Sequence, residues 1–227
     1  MDQSTELNIN QNQSSDSGLS PRKRDAFDTV ANWLALLILI LAALLLKDVV
    51  LKRVDTPRTA IERDIINYTE LLRKDPKNAG AHAGLGVAYM NMGSFSPAAG
   101  EFARAAELDP AKAQYHFNLG VANVRLGKDT VALKQLNLAG KLMPKWEAPF
   151  YEAGRVYGKL KEYDKAIASL ETSLRLVAGN ADAHYELGRA YERKGDRDQA
   201  AGHFREVLKY VPDDQRAVKA LEGLRGR

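Results

Sequence analysis

The chain of 227 residues contains no cysteine. That excludes disulfides, thiolate metal sites, a cysteine nucleophile and a lipid-bearing cysteine. It also lacks a strong excess of one charge. The formal net charge is +4, and from Ile61 onward 26 basic residues face 22 acidic ones, so the small excess is spread along the chain. A dedicated nucleic-acid binder carries far more, and no nucleic-acid partner is expected. Enzyme signatures are missing too. Gly154 to Lys159 imitates a phosphate loop but has three residues between its glycines instead of four, and Leu160 stands where Ser or Thr is required. Gly84-x-Gly86 lacks a third glycine and a preceding strand. No catalytic residue, cofactor or metal is expected.

Long apolar runs are scarce. One extends from Val30 to Leu46, broken only by Asn32, after a polar stretch rich in Ser, Asn and Gln and the basic cluster Arg22-Lys23-Arg24. Such a polar stretch buries too little to offset its chain entropy, so residues 1–29 read as a disordered tail with a basic cluster. Extended to Leu51, the apolar run reaches the length of a membrane span, with Trp33 at the boundary and Lys47 snorkelling, so 30–51 is expected to be a transmembrane helix. A cleaved signal peptide and a buried soluble helix are the competing readings. Basic residues flank both ends. The number of cations after the run favours the inside, but the compact cluster ahead of it favours the following domain outside, so a single-pass protein with its repeats outside the cytoplasm is expected. Residues 52–60 form a linker containing Pro57. Thr59 and Glu62 then make a capping box, ahead of a helix with Ile61, Ile65, Tyr68, Leu71 and Leu72 on one stripe.

Beyond that point the sequence repeats itself every 34 residues. Gly86, Gly120, Gly154 and Gly188 are in register, as are Leu85, Leu119, Ala153 and Leu187. So are Ala98, Ala132, Ala166 and Ala200, followed by Phe102, Leu136, Leu170 and Phe204. Glycine inside a helix costs roughly 1 kcal/mol relative to alanine, and four in register imply tight helix contacts. Gly93, Gly127 and Gly195 mark a turn within the unit, with Lys161 at that place in the third unit. Prolines 110, 144 and 212 close units, and Ala178-Gly179 does so in the third.

This period and pattern resemble the tetratricopeptide repeat over about residues 61–227. The resemblance implies an all-α fold, a right-handed superhelical solenoid of helix-turn-helix repeats, preceded here by the disordered tail and one transmembrane helix. Units fall at 79–112, 113–146, 147–180 and 181–214, with a capping half-repeat at 61–76 and a terminal capping helix at 215–227. His82, His116, Phe150 and His184 share one position, where the family often has tryptophan, and read as partly buried packing residues. Histidines on successive units stand too far apart to share a zinc ion.

The family's concave groove is lined mainly by first helices. The matching positions here include Ala83, Val87, Phe117, Val121, Tyr151, Arg155, Tyr185 and Arg189, with Asn91, Arg125, Lys159 and Arg193 one turn on. The groove should run from apolar to aromatic and basic. The expected partners are protein or peptide segments with apolar residues and at least one acidic group. In the competing reading these arginines simply pair with Glu152, Glu186 and Glu192. The chaperone-tail clamp found in one subfamily is not expected, because Ala83 and Val87 stand where it needs Lys and Asn. The resulting expectation is a non-catalytic, membrane-anchored interaction scaffold serving assembly of a bacterial envelope complex. The alternatives are a docking receptor facing the cytoplasm and, from another class, an envelope enzyme with an unrecognised site.

Overall fold

The computed structural model describes residues 33–47 and 59–225, which hold eleven helices and no strand. The chain divides into two units, residues 1–57 and 58–227. The first contributes helix α1, residues 33–47, whose residues are all exposed. Its 15 residues span about 22 Å at 1.5 Å each, short of the roughly 30 Å of hydrocarbon in a bilayer. The transmembrane helix expected over 30–51 is therefore not found: among the described residues no helix is long and apolar enough to cross a membrane. The flanks 30–32 and 48–51 lie outside the described residues, as do the tail expected at 1–29 and the linker up to Arg58.

The second unit is a series of antiparallel helices. It opens with α2 (Ala60–Lys74), which begins with the capping box: Glu62 N donates to Thr59 Oγ1 at 3.1 Å and Thr59 N to Glu62 Oε2 at 3.0 Å. Helix pairs follow: α3 (Ala79–Asn91) with α4 (Phe95–Leu108), α5 (Ala113–Arg125) with α6 (Asp129–Leu142), α7 (Ala148–Lys159) with α8 (Tyr163–Leu176), and α9 (Ala181–Lys194) with α10 (Arg197–Tyr210). Helix α11 (Gln215–Arg225) packs on α10. Asp214 caps it, accepting from Ala217 N at 3.2 Å.

The glycine register is explained within each pair. A Cβ added at Gly86, Gly120, Gly154 or Gly188 would lie 2.6–2.8 Å from the side chain of Phe102, Leu136, Leu170 or Phe204 respectively, sixteen residues on. Those four large side chains are at most 1% exposed. The alanines of the second helices, Ala98, Ala132, Ala166 and Ala200, are fully buried beside them. Glycine on one helix and alanine on its partner let the two backbones close over one large side chain. Burying such a side chain stabilises the pair by roughly 1.5–3 kcal/mol. The tight turns take left-handed conformations at Gly93, Gly127 and Gly195, and Lys161 adopts the same conformation at φ 63°.

Side chains join successive pairs in a repeating way. Each histidine of the shared position reaches a carbonyl in the turn just past the preceding second helix: His82 to Pro76 O at 3.1 Å, His116 to Pro110 O and His184 to Ala178 O at 3.0 Å. The other ring nitrogen meets the partner helix of its own pair, at Glu101 (2.7 Å), Gln135 (2.8 Å) and His203 (3.2 Å). The histidines thus act as clips between helices. The third pair has Phe150 instead, and there Glu147 accepts from Ser173 Oγ at 2.6 Å and Asn180 Nδ2 at 2.9 Å.

Candidate functional site

Helices α5, α7 and α9 touch in sequence, so the first helices of successive pairs form one wall. In that wall lies a cleft of about 460 Å³, bounded by α7, α9, the α7–α8 turn and the edge of α5. Its floor is apolar, made by Val124, Val156, Ala166 and Ala190. Its rim carries five cations, Arg155, Lys159, Lys161, Arg189 and Arg193, against two acids, Glu152 and Glu186. Gly158, whose missing Cβ faces open space, leaves room above α7.

Local ion pairs already occupy part of that charge. Arg155 meets Glu152 at 3.0 Å, Arg189 meets Glu186 at 3.5 Å, and Lys159 reaches back to Asp129 on α6 at 2.7 Å. The three cations are about half exposed, with their acidic partners 12–25% exposed, and pairs open to solvent on the cation side contribute roughly 0–1 kcal/mol and exchange readily. Arg193 and Lys161 are exposed and have no ion-pair partner among the described residues. The cleft therefore combines two free cations, three weakly held ones and an apolar floor.

Of the residues expected from sequence, Arg155, Lys159, Arg189 and Arg193 come together in this cleft. The others do not line it. Tyr151 is half-buried beside it, with the Arg155 guanidinium 5.7 Å from its ring centroid, and burial pushes its phenol up to about 12. Tyr185 is covered by the terminal helix: Arg216 stacks on its ring at 4.8 Å while Phe204 packs against it at 5.7 Å. Arg125 turns toward Phe95, 5.8 Å away on α4. Phe117 is half-buried against Trp146 at 4.6 Å, and Val121 is half-buried on α5.

Three participants escaped the sequence reading. Lys161 and Tyr163 lie in or beside the turn after α7, and Trp146 lies in the turn before it; the first two line the cleft. The signal for Lys161 was present, since a lysine at a glycine position of the register is held outward by its left-handed backbone.

Paired helices with this register, packing glycine against a large side chain at each pair, define a helical-repeat solenoid. The tetratricopeptide repeat family matches residues 87–141 and again residues 159–224. A crystal structure of MamA protein is similar at 32% identity and a TM-score of 0.62, over 64% of this chain and 80% of that one. YrrB, described as a TPR protein with an unusual peptide-binding site, is similar at 24% identity and a TM-score of 0.66, over 71% of this chain and 84% of that one. TTC0263, a thermophilic TPR protein of Thermus thermophilus, superposes with a TM-score of 0.56 at 22% identity, over 72% of this chain and 89% of that one. No curated protein sequence matches the chain. The chain belongs to the tetratricopeptide repeat family.

Proposed function

We propose that this protein is a non-catalytic adaptor that docks a segment of another protein, bearing carboxylates beside apolar residues, in the cleft between α7 and α9. The observation that carries this is the cation excess over an apolar floor, with Arg193 and Lys161 left without acidic partners among the described residues. Guanidinium groups recognise carboxylates through forked hydrogen bonds, and an apolar floor accepts the adjoining side chain. The peptide-binding site named for YrrB is consistent with this use of the fold.

Selection of a displayed peptide library on the full chain tests the proposal. Enrichment of acidic residues next to Leu, Ile or aromatic residues is expected, and Arg193→Glu with Lys161→Glu should abolish it. Selected peptides without acidic bias, or a selection unchanged by the charge reversal, would sink the proposal.

A membrane tether is the finer part of the proposal. Helix α1 is apolar on every face, with Trp33 68%, Leu39 66% and Leu46 66% exposed. A tether would confine the cleft to a membrane surface and raise the local concentration of partners there, as an assembly factor of envelope complexes requires. Carbonate extraction of membranes from cells expressing the full chain reads this directly. Retention in the pellet, lost when Leu39 and Ile40 become lysine, is expected; complete release of the parent chain removes the tether from the account.

A further inference from the structure

The ends of the second helices change character along the chain. At their final capping position stand Asp75, Asp109, Met143, Val177 and Val211 in turn. The residue before the cap is Leu142, Leu176 or Tyr210 in the last three, and the one before that is Lys141, Arg175 or Lys209. The six apolar residues of these pairs, Leu142, Met143, Leu176, Val177, Tyr210 and Val211, are all exposed. They are six of the eleven exposed large apolar side chains between Ala60 and Arg225. The caps share one backbone geometry, φ between −132° and −137°, so each pair is presented in the same way. Equivalent positions on stacked pairs lie in a row, one helix-packing step after another. The first pair instead ends in Glu107-Leu108-Asp109.

Isolated exposed apolar residues need no explanation, but a contiguous row does. Charge selects the occupant. Across 141–146, 175–180 and 209–214 there are four cations, Lys141, Lys145, Arg175 and Lys209, against one exposed carboxylate, Asp213, with Glu206, one turn earlier, paired to Lys209 at 3.1 Å. Asp214, the other acid, is buried and held by Arg216. Shape narrows the choice further. A protein partner is gripped by anchors seated in pockets. Here five of the six apolar side chains line neither the cleft nor the shallow hollow formed by Gln114, Met143, Lys145 and Trp146. Projecting aliphatic side chains with cations beside them, and Tyr210 and Trp146 at the same edge, are what the interfacial zone of a bilayer accepts.

We infer that this edge of the solenoid, from α6 to α10, lies against an anionic lipid surface, its apolar pairs entering the headgroup boundary and Lys141, Arg175 and Lys209 contacting lipid phosphates or carboxylates. This role is separate from the cleft, whose cations belong to the wall of first helices.

The two tryptophans are Trp33 and Trp146, so a full-length Trp33→Phe chain reports on the edge through Trp146 alone. The probe is quenching by brominated lipid in vesicles of phosphatidylcholine with or without one-third phosphatidylserine. Quenching is expected on the anionic vesicles and not on the neutral ones. Each cation near such a surface is worth about fivefold, so Lys141→Gln, Arg175→Gln and Lys209→Gln together should reduce the anionic-specific quenching at least tenfold. Circular dichroism of the variant should match the parent, since none of the three side chains is buried. Trp146 unquenched on anionic vesicles, equal quenching on both compositions, or a triple variant quenched like the parent would each overturn the inference. So would protection of Trp146 by an acidic polypeptide while the vesicles leave it unaffected.

Discussion

Alanine at Gly154 should destabilise this protein, although alanine is the better helix former. On an open helix face the exchange gains about 1 kcal/mol. At Gly154 the new methyl would lie 2.6 Å from Leu170 Cγ, 2.9 Å from Leu170 Cδ2 and 3.3 Å from the carbonyl oxygen of Ala166. Leu170 is 1% exposed, and Cγ is its branch point, so the side chain cannot swing clear. Overpacking of this kind costs about 1–3 kcal/mol, which outweighs the propensity gain. The net loss should be about 1 kcal/mol, a fall in Tm of roughly 2–4 °C for a chain of this length. Gly100, in α4, has nothing within 4 Å of its missing Cβ, and Gly100→Ala should be stabilising by up to ~1 kcal/mol. Paired urea and thermal unfolding, followed by circular dichroism, reads the two signs. Leu170→Ala alone should lose about 2–5 kcal/mol. Combined with Gly154→Ala it should lose less than the sum of the single losses, by at least ~1 kcal/mol. Equal stabilisation by Gly154→Ala and Gly100→Ala would refute the packing explanation of the register.

Three other outcomes are expected. Lys161→Gly should stabilise by ~1 kcal/mol, because a left-handed non-glycine backbone costs about 1–2 kcal/mol; denaturation midpoints check this. His203 is held below its ordinary value by burial and by His184, with Tyr191 stacked on its ring at 5.6 Å. A histidine lowered in this way contributes stability above its unfolded value of 6.5 that is lost as pH falls through its folded value, so His203→Gln should flatten the acid limb of a pH–Tm profile below about 6.5. Asp214 is lowered to about 2, chiefly by its hydrogen bonds from Arg216. Its contribution is complete above the unfolded value of 3.8 and disappears as pH falls toward 2, so Asp214→Asn should remove that part of the acid unfolding curve.

The helix pairs were legible because their cause is local and repeated. A glycine sixteen residues before a large apolar side chain, four times over, admits few arrangements besides an antiparallel pair closing on that side chain. The wall of first helices was read from the resemblance to the family, and in the structure Arg155, Lys159, Arg189 and Arg193 lie together in its cleft. What register cannot show is which neighbour reaches across. Tyr185 occupies a groove position by count, yet Arg216 of α11 lies over it. Arg125 points to the ring of Phe95, on the preceding pair. Turn residues are harder to read, because periodicity assigns no face to Trp146, and Lys161 shows itself only as a lysine at a glycine position. The apolar run at 30–51 was read by length and composition alone, and the described helix occupies 33–47 of it. The basic–apolar edge went unread because its residues look like ordinary helix ends until their exposure is known.

The claim on which the account of function rests is recognition of an acidic segment by the cations of the α7–α9 cleft. Fluorescence anisotropy of a selected acidic peptide, titrated with the parent chain and with Arg193→Ala, Arg189→Ala and the pair, tests it most directly. Loss of about 1.4 kcal/mol, or tenfold in Kd, is expected for Arg193→Ala, with further weakening in the pair and as salt rises. A Kd indifferent to both arginines and to salt would contradict the account.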